Sequence, residues 1–496
     1  MRSAWALSLC MGMSLMAQSL DLDRYTANYK IGYEKIAISS DEDMGLVGLS
    51  VLFDFTNYWY GGVSLYGAVD GKRGGFFTVG ADSGLSYAVS SNFKLKSGLF
   101  LGAGGGGSAP QGGGLILRPY IEANYVAKDF SLGLGASHVS FPNGDIESTQ
   151  VYIAAEIPTD GGYISGHHAS DLELGESSSS IRDDTLEVSF LAEHYIPSPG
   201  SKNVNSDTKT KPYSLAGIEF DIFLNDSLYG IFQAAGAGGG DSDGYMEIFG
   251  GLGYRYRLGT LPVYLDMQAA IGASGGGRVD TGGGLVYRAR AGLKADITDN
   301  ITVGIRGGFI DAYKGTFSAT TYSATIGYKG VIANSISGED NTSVLPRNLG
   351  FRMLHKSHLD SDKLFKNSDR NMRIDLLGFA IDSYIDENFY LTGQTYWAYK
   401  GGAGGYAEGI FGAGYHSDAY GGFSLYTEAL AGVGGGGGVD IGGGFFASLG
   451  AGVAYDMGND LEAHIGGAYV RSKDGEFDTN DLVFGISYKF ALLEKK

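Results

Sequence analysis

The stretch "LVYRARAGLKADI", residues 285–297, decides how this chain folds. Leu285, Tyr287, Ala289, Ala291, Leu293, Ala295 and Ile297 are apolar, and Val286, Arg288, Arg290, Gly292, Lys294 and Asp296 fall between them. A helix would scatter those charges around its circumference, whereas a strand puts them on one face and the apolar set on the other. "LILRPYIEANY" from Leu115 and "FFASLGAGVAY" from Phe445 obey the same alternation. Such runs are longer than ordinary strands and suit a tilted bilayer crossing.

The three stretches belong to three copies of one unit. "FKLKSGLFLGAGGGG" from Phe93 aligns without a gap with "VYLDMQAAIGASGGG" from Val263 and "FSLYTEALAGVGGGG" from Phe423. The units are read as residues 18–157, 183–328 and 348–490, with linkers at 158–182 and 329–347 and a tail at 491–496. At one parity Leu95/Leu265/Leu425, Leu101/Ile271/Ala431 and Leu115/Leu285/Phe445 stay apolar. At the other, Lys96/Asp266/Tyr426, Arg118/Arg288/Ser448 and Tyr120/Arg290/Gly450 scatter. One face is held by hydrocarbon, and the other has been free to diverge. Short turns such as "VAKDF" and "DITDNI" alternate with long polar loops such as "SPGSKNVNSDTKTKP", which is the pattern of a transmembrane barrel.

Composition agrees. The 496 residues include 83 Gly, 33 Tyr and 26 Phe, with a formal net charge of -19. Abundant aromatics exclude a disordered or collagen-like chain, and the acidic balance argues against nucleic acid as a partner. Residues 1–17 read as a signal peptide with an apolar run from Ala4 to Met16. The one cysteine, Cys10, lies inside it, so no disulfide is expected in the exported chain.

The final strand, "DLVFGISYKF", carries Gly485, with Tyr488 and Phe490 on the outward parity. This resembles the C-terminal signal read by the barrel-insertion machinery, and the chain resembles Gram-negative outer-membrane β-barrel proteins of the porin-like kind. The resemblance implies an all-β, antiparallel transmembrane barrel, with outer-membrane lipid and the insertion machinery as partners and no cofactor. One insertion signal for three units favours a single barrel of about 24 strands; three tandem eight-stranded barrels are the alternative.

In a single barrel, inward parity gathers Arg255, Arg257, Arg288, Arg290, Lys294 and Arg306, with Asp266, in the second unit, and Glu408, Glu428, Asp456 and Glu462 in the third. A basic wall facing an acidic one would set ion selectivity. The expected function is a passive channel for small polar or ionic solutes, the alternative a non-conducting structural or surface barrel. In three narrow barrels the same charges would instead pair inside filled interiors. The glycine clusters around Gly112–Gly113–Gly114, Gly282–Gly283–Gly284 and Gly442–Gly443–Gly444 are expected to let a hairpin pack against another backbone and narrow the outer mouth. No enzyme activity and no metal site are expected, because no spacing selects a catalytic set. His355 and His358 face opposite ways on a strand, and His167, His168 and Asp171 sit in a linker.

Overall fold

A computed structural model describes residues 23–39, 42–166, 184–332, 344–359, 364–366 and 373–495. The proposed signal peptide and the His167, His168 and Asp171 group lie outside the described residues. Among the described residues the fold is all-β, with 24 antiparallel strands. The first unit contributes β1 (Asp23–Ser39), β2 (Glu42–Asp54), β3 (Trp59–Asp70), β4 (Phe77–Ser90), β5 (Phe93–Gly105), β6 (Leu115–Val126), β7 (Ser131–Ser140) and β8 (Glu147–Ser165). The second contributes β9 (Asp184–Pro197), β10 (Tyr213–Phe223), β11 (Leu228–Gly239), β12 (Met246–Arg257), β13 (Val263–Gly275), β14 (Leu285–Asp296), β15 (Ile301–Ala312) and β16 (Ser318–Ile332). The third contributes β17 (Val344–His358), β18 (Ile374–Tyr384), β19 (Phe389–Lys400), β20 (Ala407–His416), β21 (Phe423–Gly435), β22 (Phe445–Gly458), β23 (Leu461–Ser472) and β24 (Asp478–Lys495).

Strand partners correct the expectation of one large ring. β1 pairs along its length with β8, from Asp23↔Tyr163 to Glu34↔Tyr152. β16 returns to β9, from Ala319↔Pro197 to Ile332↔Asp184, and β24 returns to β17, from Val344↔Lys495 to His358↔Asp481. Each unit therefore closes on itself as an eight-stranded barrel. An even strand number leaves the first and last strands antiparallel, so each unit can satisfy its own edge. Between units the ladder is vestigial: β24 meets β8 only at Phe490↔Ser165 and Ala491↔Ile164, and β16 only at Val331↔Lys495 and Ile332↔Glu494. Strands β8, β16, β17 and β24 also run on into the segments read as linkers and tail. In that tail Glu494 accepts hydrogen bonds from Tyr328 at 2.6 Å and Arg347 at 3.0 Å, tying barrel 2 to barrel 3.

The three barrels form a closed triangle. β3 packs on β13 and β14, β11 on β21 and β22, and β19 on β5 and β6. Each contact sets the third strand of one unit against the fifth and sixth of another, a head-to-tail arrangement that closes after three steps. Phe77, Val79, Ile248, Ala273, Phe379 and Trp397, drawn from all three barrels, form one buried apolar cluster where they meet. Part of the face expected to touch lipid therefore touches a neighbouring barrel. Elsewhere the outward parity is exposed, as at Leu95, Ile271, Leu293 and Leu425.

The glycine turns sit at the seams. A Cβ on Gly284 would lie 2.2 Å from the Ala68 carbonyl oxygen, one on Gly444 2.2 Å from that of Ala237, and one on Gly114 2.3 Å from that of Ala398. Those φ angles are +99°, +99° and +98°, where L side chains are strained. Gly74 N–H donates to the Gly282 carbonyl at 2.9 Å, and Gln111 Nε2 to that of Gly404 at 2.8 Å. Ion pairs Lys314–Asp70 (2.7 Å) and Lys366–Asp243 (2.5 Å) cross two of the seams. The hydrogen bond from Lys314, followed by that from the Gly71 backbone, holds the Asp70 carboxyl below its ordinary range. This attraction is present above the ordinary carboxylate pKa and fades as pH falls through the lowered value.

Gly284→Ala should loosen the seam between barrels 1 and 2 at a cost of about 1–3 kcal/mol. Gly250→Ala, whose Cβ meets nothing within 4 Å, should be near neutral. Chemical unfolding in detergent micelles checks the contrast; equal behaviour of the two variants would contradict it.

Candidate functional site: the barrel interiors

An eight-stranded ring is just wide enough for inward side chains to fill it. In barrel 2 a cluster of charged side chains fills the middle of the lumen. Arg290 donates to Glu193 at 2.9 Å and to Glu219, and all three side chains are 0% exposed. Arg306 reaches Asp266 at 2.5 Å and Glu219 at 3.1 Å. Lys294 bridges Glu187 and Asp221, both at 2.8 Å. Arg288 donates to Gln233 at 2.7 Å and lies 4.0 Å from the Phe249 ring centroid. Buried charges survive only when paired and hydrogen-bonded, and alternation along β9, β10 and β14 supplies both signs to one small volume.

Barrel 1 follows the same logic with different residues. Arg118 pairs with Glu34 at 2.8 Å, Lys30 with Glu122 and Lys96 with Glu156, both at 2.5 Å. The Tyr120 hydroxyl donates to Asp82 at 2.7 Å. In barrel 3, Arg352 pairs with Asp382 (2.7 Å) and Glu428 (2.8 Å), and Lys356 with Glu408. His358 lies between Asp481 (2.6 Å) and Glu408 (2.9 Å), while Glu462 meets His416 at 2.8 Å and also Lys489.

At the loop end each lumen is stopped by apolar side chains. These are Phe76, Phe141 and Ile146 in barrel 1, Tyr195, Tyr213, Tyr245 and Phe317 in barrel 2, and Phe365, Tyr406, Val439 and Phe477 in barrel 3. Loops fold over two of these stoppers. Val204 N–H donates to the Arg278 carbonyl at 2.7 Å above barrel 2, and Asp440 N–H to that of Leu364 at 2.8 Å above barrel 3.

The residues singled out from the sequence thus fall into separate groups. Arg288, Arg290, Lys294, Arg306 and Asp266 share the lumen of barrel 2, and Glu408, Glu428 and Glu462 that of barrel 3, so no basic wall faces an acidic one across a common space. Arg255, Arg257 and Asp456 sit at the short-turn end. Arg255 donates to the Asp226 carbonyl at 2.8 Å and Arg257 to that of Leu261 at 3.3 Å, while Asp456 accepts from Gly458 N–H at 2.7 Å. Sequence reasoning missed Glu187, Glu193, Glu219, Asp221 and Glu247, which all lie against the basic cluster. Their signal was present: Glu187 and Glu193 share one parity of "TLEVSFLAEHY", and Glu219 and Asp221 share one parity of "IEFDIF". Tyr488 and Phe490 lie outward and stack at 6.1 Å, and a Cβ on Gly485 would lie 2.3 Å from the Met353 carbonyl oxygen.

No known family profile matches the sequence, and no curated protein matches it. Among solved structures the chain is similar to Pseudomonas aeruginosa OccK11 (OpdR), at 13% identity and TM-score 0.22 over 95% of this chain and 96% of that one. It is also similar to the outer membrane protein opdK from Pseudomonas aeruginosa, at 10% identity and TM-score 0.23 over 94% and 98%. A third is the ferric enterobactin receptor (PfeA) in complex with BCV-L6, at 10% identity and TM-score 0.28 over 95% of this chain and 82% of that one.

Arg290→Ala should destabilise barrel 2 by about 3–5 kcal/mol, because it removes the buried cation that Glu193 and Glu219 share and leaves Glu219 to Arg306 and Glu193 to the more distant Arg288. Arg257→Ala, at an exposed turn, should stay within about 0.5 kcal/mol of the parent. Urea unfolding in lipid vesicles measures both.

Proposed function

We propose that this chain is an outer-membrane protein of a Gram-negative bacterium whose three fused barrels form a rigid, non-conducting unit, with its function carried on the outer surfaces and loops. The observation that carries the reading is the zero exposure of Arg290, Glu193 and Glu219 at mid-lumen, reinforced by the apolar stoppers above them. Small polar or ionic solutes would have to break these pairs to pass, which supports the non-conducting reading over the passive channel. Membrane insertion is supported by the exposed apolar outward parity on strands such as β7, β8 and β15, including Leu134, Ile153 and Ile305. Outer-membrane lipid is then the obligatory partner, and the insertion machinery the assembly partner through Tyr488 and Phe490.

Planar-bilayer recording tests the proposal. The folded protein should insert without stepwise conductance, and Arg290→Glu should not create ion selectivity. Reproducible open steps from the parent protein, with selectivity shifted by charge reversal at Arg288 or Arg290, would overturn it and restore the channel.

A further inference from the structure

Near the loop end of β17 on the outside of barrel 3, His355 and Ser357 lie two residues apart on one face, while Lys356 between them points into the lumen. His355 Nε2 is 2.9 Å from Ser357 Oγ, and Ser357 Oγ donates to Asp375 Oδ1 at 2.7 Å. The Tyr399 hydroxyl lies 3.1 Å from His355 Nδ1. Asp375 is gripped by Arg373 at 2.9 Å, and Lys400 stands 3.9 Å away. A nucleophile, a base and a group orienting the base are therefore within reach of one another. The sequence did not select them because Asp375 and Tyr399 arrive from other strands.

A second observation points to a ligand. A concavity of about 740 Å³ runs across the outer face of barrel 3, with Phe389, Tyr415, Leu449 and Tyr469 along it and Ala451 and Gly467 at its floor. The ladder leads from its floor to the serine: Ala451 pairs with Gly467, Gly467 with Leu482, Leu482 with Ser357, and Ser357 with Asp375. With neighbouring strands about 4.8 Å apart, Gly467 is roughly 10 Å from Ser357. A chain lying in this groove would present its head at the rim, beside Arg373 and Lys400.

We propose that Ser357 and His355 form an esterase site facing the lipid phase, acting on an acyl ester whose hydrocarbon chain occupies the groove. The proposal rests on barrel 3 being embedded in a bilayer, as proposed above. The Ser357 hydroxyl turns from Asp375 to His355 Nε2, which takes its proton as Oγ bonds to the ester carbonyl carbon. The carbonyl π pair moves onto oxygen. Collapse of that adduct breaks the ester C–O bond, and the leaving alcohol receives the proton from Nε2. Water then attacks the acyl-serine with His355 as base; the bond to Oγ breaks, Oγ recovers the proton, and a carboxylic acid leaves. Tyr399 is a positioning residue, accepting from Nδ1–H. Asp375, 3.9 Å from His355 Nε2, steadies the imidazolium. Ser357 is 2% exposed, so the ester enters as the half-exposed Phe484 ring, packed 4.4 Å from the imidazole centroid, moves aside.

The full chain in detergent micelles, treated with a long-chain alkyl fluorophosphonate and digested for mass spectrometry, should carry the adduct on Ser357. It should also hydrolyse long- and short-chain p-nitrophenyl esters. Ser357→Ala and His355→Asn should each lower turnover by about 100-fold or more, with the barrel still folded by its gel mobility. Tyr399→Phe should lower kcat while leaving KM unchanged. Gly467→Leu, whose Cβ meets only the Asp481 carbonyl oxygen at 3.4 Å, should raise KM for the long-chain ester severalfold more than for the short-chain ester. A folded parent protein that neither labels nor turns over, or that labels equally well as His355→Asn, overturns the proposal. Because these assays use micelles and no voltage, their failure is separate from the failure of the non-conducting reading.

Discussion

The structure depends on the first strand of each unit finding the eighth strand of the same unit. In hydrocarbon an unpaired N–H or C=O costs several kcal/mol, so a sheet of this kind must close or fail to insert. Ile31 opposite Ala155, Phe190 opposite Ile326 and Met353 opposite Ile486 are three expressions of that closure, each placing apolar side chains side by side on the outer face. Once a ring closes at eight strands its interior is too narrow for bulk water. The inward charges must then find partners inside the ring, and the ion-pair clusters follow from the closure.

The same clusters explain how three barrels of one strand plan can carry different inward residues without losing the fold. The inward position held by Tyr120 in barrel 1 holds Arg290 in barrel 2 and Gly450 in barrel 3, and each change is answered locally. Tyr120 donates to Asp82, Arg290 is met by Glu193 and Glu219, and where Gly450 leaves space Glu428 is served by Arg352 from another strand. Buried pairing constrains the sum of charges in each lumen more tightly than the identity at any one site.

Much of this was legible in the sequence for a local reason. Alternation in "LVYRARAGLKADI" is fixed by the pleat of one strand, so the faces of Leu293 and Lys294 could be read without their neighbours: one is exposed and the other buried. Closure is non-local. A single ring of 24 strands and three rings of eight use the same alternation, the same turns and the same even count, and only the choice of partner for β8, β16 and β24 separates them. That choice rests on registers between segments more than a hundred residues apart. The acidic partners of Arg290 escaped for the same reason, as did the proximity of Ser357, Asp375 and Tyr399, which alternation can place on a face but not beside one another.

The glycine seams link these levels. Gly114, Gly284 and Gly444 let three barrels approach until backbone meets backbone, and the triangle they allow shields one side of each barrel while leaving the other to the surroundings. Covalent fusion then frees the units from having to be identical. At the rim, Ser357 faces Asp375 in barrel 3, His194 faces Ser214 in barrel 2 at 3.0 Å between Nδ1 and Oγ, and Lys35 faces Gly45 in barrel 1. A homotrimer would repeat any outward-facing chemistry three times. A fused triangle can carry it once, on barrel 3, while the other two barrels supply the packing that keeps its strands in register.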